Sequence, residues 1–440
     1  GIVRPGVEVL SAVSAETPLP PPGAGRLRAA ESKGAQMRIL VVTVVHHPED
    51  ARILHRQIGA LRDRGHRVVY AAPFSARAVR PRSDLEGIDL PRAAGRSRRA
   101  AVGAARALLA RRGHEADLIL LHDPELLLAL PGTLRRWRRS GSGPVVVWDV
   151  HEDTAAALTM KRWVPRALRP PLRLGVRAAE RLAERHLRLL LAEDAYQERF
   201  SRTHPVVPNF TTAPVQAPQP PGTGHVVYVG HLSRARGALD LIETARHLGP
   251  GIRIEVAGAA DPDVREALTA ADRDGVLRWH GFLPNDRALA LFPGALAGLS
   301  LLHDQPNYRH SRPTKIVEYM AHGVPVVTTP TPLAADMVER HGCGLVVPYE
   351  DPRAAAEAVR RLSADAILRH TAAQRGREAA LAHFNWPDRA AEFTHCLEAW
   401  VREETGVRRA RDVARTRRPR LRPATAGPSP GPRPRPGRVG

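Results

Sequence analysis

The rhythm of apolar and polar residues changes abruptly at Met37. Residues 1–36 are rich in Pro, Gly and Ala and hold no sustained period. From Met37 to Val45 the chain is apolar without the alternation of a half-exposed strand, which is the pattern of a strand covered on both faces. Runs of this kind predict strands over 38–45, 67–72, 117–121, 145–150 and 187–192. The stretches between them predict helices over 50–64, 99–111, 124–138 and 170–186. Residues 204–224 then carry Pro at short intervals and form the best domain boundary in the chain. Beyond it the rhythm restarts, with strands over 225–230, 252–257, 276–280, 297–302, 325–328 and 344–347. Helices are predicted over 237–248, 262–272, 285–292, 313–322, 352–363 and 367–383, and a last one over about 386–402.

Strands alternating with helices predict α/β domains, each a parallel sheet with helices on both faces. The expected layout is a disordered extension over 1–36, a Rossmann-like domain over 37–210, a linker over 211–224 and a second Rossmann-like domain over 225–385. A carboxyl-terminal helix over 386–404 and a disordered Arg- and Pro-rich tail over 405–440 complete it. The chain opens on Gly, so Met37 is a candidate natural start, the alternative being a genuine flexible extension. Two such domains face each other across a cleft, and open α/β sheets bind ligands at the carboxyl ends of their strands. One domain can then hold each of two substrates, with closure aligning them and excluding water.

Composition narrows the function. Two cysteines, Cys343 and Cys396, make no disulfide framework and fit a reducing compartment. No run of 18 apolar residues predicts a membrane span. The first residues lack the charged start and apolar centre of a signal peptide, so the expected location is the cytoplasm. The net charge is +21, yet only Lys33, Lys161 and Lys315 among the 66 basic residues are lysine. Much of the basicity is therefore a compositional preference for Arg. It is also local: residues 96–112 hold six Arg and no acid, and residues 411–440 hold nine Arg and one Asp. The basic face at 96–112 and the Arg-rich amphipathic stretch Trp163–Arg188 suit docking to an anionic membrane surface, on its inner face, or to a lipid-linked acceptor. A solvated arginine face explains them equally well.

The segment His310–Val327 carries the chemistry. Pro313 suits a first helical position and Gly323 a helix end, so a helix of about three turns is expected between two strands. Its free N–H groups and positive dipole end make a diphosphate site. Lys315 and Glu318 are three apart and share a face. The lysine can neutralise phosphate, and the carboxylate can accept two hydrogen bonds from a ribose diol. A surface Lys–Glu pair is the bland alternative. A lysine in an Arg-writing chain, at the best phosphate position, favours the first reading. The segment Tyr228–Gly237 ends a strand in Gly230 and opens a helix after Gly237, with Arg234 and Arg236 in reach of phosphate oxygens.

Together these segments resemble glycosyltransferase family 4, over about residues 38–400. Pro313–Val327 is the most specific stretch, supported by Tyr228–Gly237, the turns at Gly258 and His280–Leu283, and Val145–Asp153. The resemblance implies the GT-B fold, a nucleotide-diphosphate sugar as donor, and retention of anomeric configuration. The first domain would take the acceptor and the second the donor. It places the donor on Lys315 and Glu318, its diphosphate on Arg236, and its base beside Gly258, Phe282 and Leu283. Gly230, His231, Ser311 and Thr314 complete the donor side, and His151 lies beside the transferred sugar. Asn209 falls where the first domain hands over to the second. Many members carry Glu where this chain has His310, and paired glycines where it has His46–Arg52. The loop His122–Glu125 resembles one branch of the family.

The mechanism implied needs no protein nucleophile, since the acceptor attacks the face that the leaving phosphate vacates. Helix dipole, Arg236 and Lys315 would stabilise the leaving diphosphate, at about 3–4 kcal/mol for each such interaction. No metal or cofactor is expected. Adjacent His46 and His47 point to opposite sides more often than they share a metal, and Glu152 and Asp153 read as solvated loop acids. Polysaccharide or glycolipid synthesis at the cell envelope is the expected role. The alternatives are a nucleotide-sugar epimerase of the same fold and a basic nucleic-acid-binding protein. With 4% aromatic residues the chain has too few rings for a base-stacking platform. No GxGxxG follows the first strand, which disfavours a dinucleotide oxidoreductase.

Overall fold

The structure, a computed structural model, describes residues 35–151, 154 and 165–416, the side chains of 411–416 excepted. The expectations for residues 1–34, for Glu152, Asp153 and Trp163, and for 417–440 fall outside these residues. Both sheets belong to one compact unit that begins at Gln36.

The first sheet holds β1 (Arg38–Val42), β2 (Arg67–Ala72), β3 (Glu86–Asp89), β4 (Leu118–Leu121), β5 (Val145–Val150) and β6 (Arg188–Leu191). All its pairings are parallel, in the order β3-β2-β1-β4-β5-β6. The second holds β7 (His225–Val229), β8 (Arg253–Ala257), β9 (Arg278–Trp279), β10 (Ala297–Ser300), β11 (Val326–Thr328) and β12 (Gly344–Val346), in the order β12-β11-β10-β7-β8-β9. Counted from its own first strand, each sheet has the doubly wound order 3-2-1-4-5-6. Each therefore has a switch point, between β1 and β4 and between β7 and β10.

Burial on both faces explains the continuous apolar strands. Leu40 and Val42 pack into one core, and Ile39 and Val41 into another on the opposite face. Val226 and Tyr228 do the same opposite Val227 in the second sheet. The helices that cover these faces include α1 (Gly59–Asp63), α2 (Arg98–Arg112), α3 (Pro131–Ser140), α4 (Arg169–His186), α5 (Ala238–Leu248), α6 (Pro262–Arg273), α7 (Asn285–Leu289), α8 (Thr314–Ala321), α9 (Pro332–His341), α10 (Pro352–Ala364), α11 (Ala366–His383) and α12 (Trp386–Thr416).

Four elements differ from the sequence reading. Strand β1 stops at Val42 because the amides of Val44 and Val45 turn to the Asp123 carboxylate. The helix expected over 50–64 opens as a π-helix, Ala51–Ile58, before α1. The helix expected over 124–138 begins as a 3-10 turn, Pro124–Ala129, ahead of α3. Helix α12 runs to Thr416, whereas disorder was expected from 405. Arg408 pairs with Glu404 one turn back, and Arg188 of β6 pairs with Glu403, which ties the extra turns down. Strand β3 and helix α9 have no counterpart in the sequence reading.

Candidate functional site

The carboxyl ends of the two sheets are joined by named contacts. His47, beyond β1, lies against the Phe282 ring at 4.4 Å. Glu193, beyond β6, accepts from the Arg312 N–H at 2.9 Å, just ahead of α8. Asn209 donates from Nδ2 to Thr314 Oγ1 at 2.9 Å. Arg56 bonds the Asn209 side chain and donates from Nη2 to Glu318 Oε1 at 3.1 Å. Most of these ties are polar, and Phe384 adds an apolar one, packing against a core of each sheet.

Helix α8 follows β10 through the loop 301–313, with Pro313 at its cap. From Lys315 to Ala321 it is buried, Glu318 included. Lys315 Nζ sits 3.7 Å from the centroid of the Tyr228 ring and has no hydrogen-bond partner among the described residues. The Gly230 turn passes beside it: a Cβ there would stand 3.4 Å from Nζ. Burial first, and then Arg236, push the Lys315 ammonium well below the ordinary lysine range, with Glu318 partly opposing. A cation with an unmade donor set, beside a second cation, is stabilised by an anion brought between them. Arg236 itself is half-buried beside the Tyr308 ring.

Glycine makes this approach possible. Gly258, at φ 154°, brings its Cα so near the Gly230 carbonyl that an added Cβ would stand 1.8 Å from the oxygen. Gly237, at φ 77°, faces the Leu301 carbonyl, with a Cβ 2.2 Å away. The ends of β7, β8 and β10 thus close into one bed around Lys315.

The opposite wall is built by the π-helix. Asp50 caps it, accepting from the Arg52 and Ile53 N–H groups. Arg52 and Arg56, one turn apart, point from it into buried space. Arg52 donates to both Asp149 oxygens at 2.6 and 2.8 Å, and Gln57 adds a third bond at 3.0 Å. Burial opposes the charge on Asp149, but Arg52 holds its carboxyl well below the usual range. Asp123 accepts from the Thr43 hydroxyl, from the Val44 and Val45 amides, and from His46 Nδ1 at 2.6 Å. Burial is again outweighed, chiefly by His46, and the Asp123 carboxyl is held at about 2. His151 leaves β5 with Nδ1 bonded to the Asp149 carbonyl at 3.0 Å and Nε2 2.9 Å from His46 Nε2.

The site residues expected from sequence divide into two groups. Lys315, Glu318, Thr314, Gly230, Gly258 and Arg236 gather around α8 and the ends of β7 and β8. Of the remainder, His151 stands on the opposite wall and the others lie on the rim. His231 is exposed and bonded to Asp261 at 2.8 Å, and Arg234 to Asp263 at 3.2 Å. Phe282 is half exposed, Leu283 and Ser311 are partly buried, and His310 is exposed. His46 and His47 do point apart, one to Asp123 and the other to Phe282. Sequence reading missed Arg52, Arg56, Asp123, Asp149 and Glu193 as builders of this region. A signal existed for two of them: Arg52 and Arg56 are four apart in a segment otherwise opening on His and acid.

Residues 234–395 match the family described as "Glycosyl transferase-like". No curated protein matches the chain. The structure resembles sucrose-phosphate synthase from Thermosynechococcus elongatus, with a TM-score of 0.62 at 20% identity over 83% of this chain and 99% of that one. It also resembles Anabaena HepE in complex with UDP and glucose, with a TM-score of 0.58 at 16% identity over 83% and 100%. A third is WaaG, a glycosyltransferase involved in lipopolysaccharide biosynthesis, with a TM-score of 0.57 at 16% identity over 81% and 99%. Fold and family match agree: the chain has the GT-B fold and carries a glycosyl transferase-like domain over residues 234–395.

Proposed function

We propose that the chain transfers a sugar with retention from a uridine-diphosphate donor to a glycan or lipid-linked acceptor, in polysaccharide or glycolipid synthesis at the cell envelope. The observation that carries the donor reading is the buried Lys315 ammonium, without a hydrogen-bond partner among the described residues and flanked by Arg236. A diphosphate seated at the start of α8 would satisfy both cations and the helix dipole. Charge that builds on the leaving diphosphate would meet these groups already in place, in a site that closure shields from water. Glu318 keeps Oε1 on Arg56, and its Oε2 would accept from the ribose hydroxyls. Gly258, Phe282 and Leu283 would border the base, with Gly230, His231, His310, Ser311 and Thr314 around the diphosphate and sugar. His151, across the cleft, would meet the transferred sugar. Uridine is favoured because HepE, of like fold, is recorded with UDP and glucose.

The lipid-linked acceptor has separate support. Leu168, just ahead of α4, and Leu172, Leu174 and Leu182 on it stand exposed, with Arg166, Arg173, Arg181 and Arg185 exposed among them. Apolar and cationic side chains mixed on one surface helix suit an anionic bilayer. Among the described residues no helix is long and apolar enough to cross a membrane.

A thermal-shift screen against UDP-, GDP- and ADP-sugars tests the donor. UDP-sugars are expected to raise the melting temperature, and Lys315→Ala and Glu318→Ala to abolish the rise. A rise that survives both substitutions would remove α8 from the donor site.

A further inference from the structure

Arg56 belongs to the π-helix of the first domain, yet both partners of its guanidinium lie beyond the first sheet. Nη2 donates to Glu318 Oε1 at 3.1 Å, and Nη1 donates to Asn209 Oδ1. Asn209 Nδ2 donates in turn to Thr314 Oγ1 at 2.9 Å. Thr314 and Glu318 stand four apart on α8 and share a face. Arg56 and Asn209 therefore hold one turn of α8 at both its ends. The backbone that carries Arg56 is fixed from behind, since Arg52, one turn earlier, donates to Asp149 and to the Val207 carbonyl at 3.0 Å.

Glu318 depends on this pair for its charge and its aim. The Arg56 and Glu318 side chains are 6% and 10% exposed, so little water is at hand to replace either partner. Among the described residues, Arg56 alone donates a hydrogen bond to the Glu318 carboxylate. Burial pushes the Glu318 carboxyl above its ordinary range, and Arg56 opposes this first, ahead of Lys315. Without the guanidinium the carboxyl would protonate more readily and would turn about its last bond. With Oε1 held, Oε2 keeps one direction and its acceptor capacity for a diol.

We propose that Arg56 is a positioning residue for the donor: it aims the Glu318 carboxylate at the ribose diol, so that the first domain completes ribose recognition. This rests on the donor reading above, in which Glu318 takes the ribose. Arg56 acts through Glu318 and not on the diphosphate, which belongs to Lys315 and Arg236. Ribose binding and the contact between the domains then favour each other by linkage.

The test compares UDP with 2′-deoxy-UDP on the full chain by calorimetric titration. The wild-type chain should prefer UDP by roughly 10-fold or more, the ratio of a hydrogen bond to a charged group. Arg56→Met and Glu318→Gln should each bring that ratio close to one, while 2′-deoxy-UDP still binds. Glu193→Ala cuts a different tie to the segment ahead of α8 and should leave the ratio at its wild-type value. Arg56→Lys cannot bridge Asn209 and Glu318 with a fixed fork, so its ratio should fall between wild type and Arg56→Met. Circular dichroism checks each fold, and Arg56→Lys carries the test if Arg56→Met does not fold. A ratio lost in Glu318→Gln but kept in both Arg56 variants overturns the role of Arg56 and leaves the donor reading standing. Equal loss of affinity for the two ligands in Arg56→Met, with the ratio kept, also overturns it and makes Arg56 a structural tie. No preference for UDP in the wild-type chain, or a preference that survives Glu318→Gln, overturns the donor reading and this role together.

Discussion

Glu184 shows how one buried side chain can hold a turn. It accepts from the Ser201 hydroxyl at 2.7 Å, from the Ser201 and Arg202 amides at 2.9 and 2.8 Å, and lies 2.9 Å from His204 Nε2. Burial opposes its charge, and Ser201, His204 and the amides reverse that and hold the carboxyl at about 2. The folded pKa is lower than the unfolded one, so its contribution is full above about pH 4.5 and fades as pH falls toward 2. Urea midpoints should therefore fall across that window, and Glu184→Gln should flatten the fall by about 2 kcal/mol. Equal pH dependence in the two chains would show that Glu184 is not responsible. Gly258 makes the same point for backbone. Gly258→Ala must move the Gly230 carbonyl, and a loss of about 3 kcal/mol or more of stability is expected, read from melting. A melting temperature within a degree of wild type would mean the close approach is not required.

The elements separate what sequence reveals from what it does not. Strands β1, β4, β5, β7 and β8 are legible because both their faces are buried, and apolar runs say so directly. Edge strand β3 is not, since Glu86–Asp89 is mostly solvent-facing and pairs with β2 alone. Helix α9 had readable signals in Pro332 and Gly342, but its ten residues give a weak period. The π-helix is invisible to any 3.6-residue pattern, because its shape answers to Arg52 and Arg56 reaching partners far along the chain. Helix α12 was read as disordered past 404 on composition, while its turns are held by pairs to Glu403 and Glu404. Lys315 was legible through its rarity; the carboxylates and arginines opposite it were not, because their partners are 77 to 262 residues away. Phe393 and Leu397 of α12 are fully buried in a core of the first sheet. Phe393→Ala should cost about 3–5 kcal/mol, and chains ending at residue 384 should fail to give a cooperative transition. Normal cooperative melting of that truncation would show α12 to be an accessory.

At the scale of the molecule, two sheets of the same winding are held together by polar ties and by Phe384, which packs against a core of each sheet. Arg56 is central among these ties, since it holds Asn209 of the connecting segment and Glu318 of α8 together. Arg56→Met should loosen that arrangement, and the radius of gyration from small-angle scattering should rise; an unchanged radius would assign the closed form to other contacts. On the proposed function, this arrangement would seat a diphosphate on Lys315. A bound diphosphate would restore the charge on an ammonium that burial and Arg236 now suppress, so binding should take up a proton and tighten as pH falls. Calorimetric titration of UDP in two buffers of different ionisation heat measures affinity and proton uptake together. The wild-type chain should bind with proton uptake, and Lys315→Ala should lose the uptake and about 2 kcal/mol of binding. Equal affinity and equal proton exchange in the two chains would contradict the account.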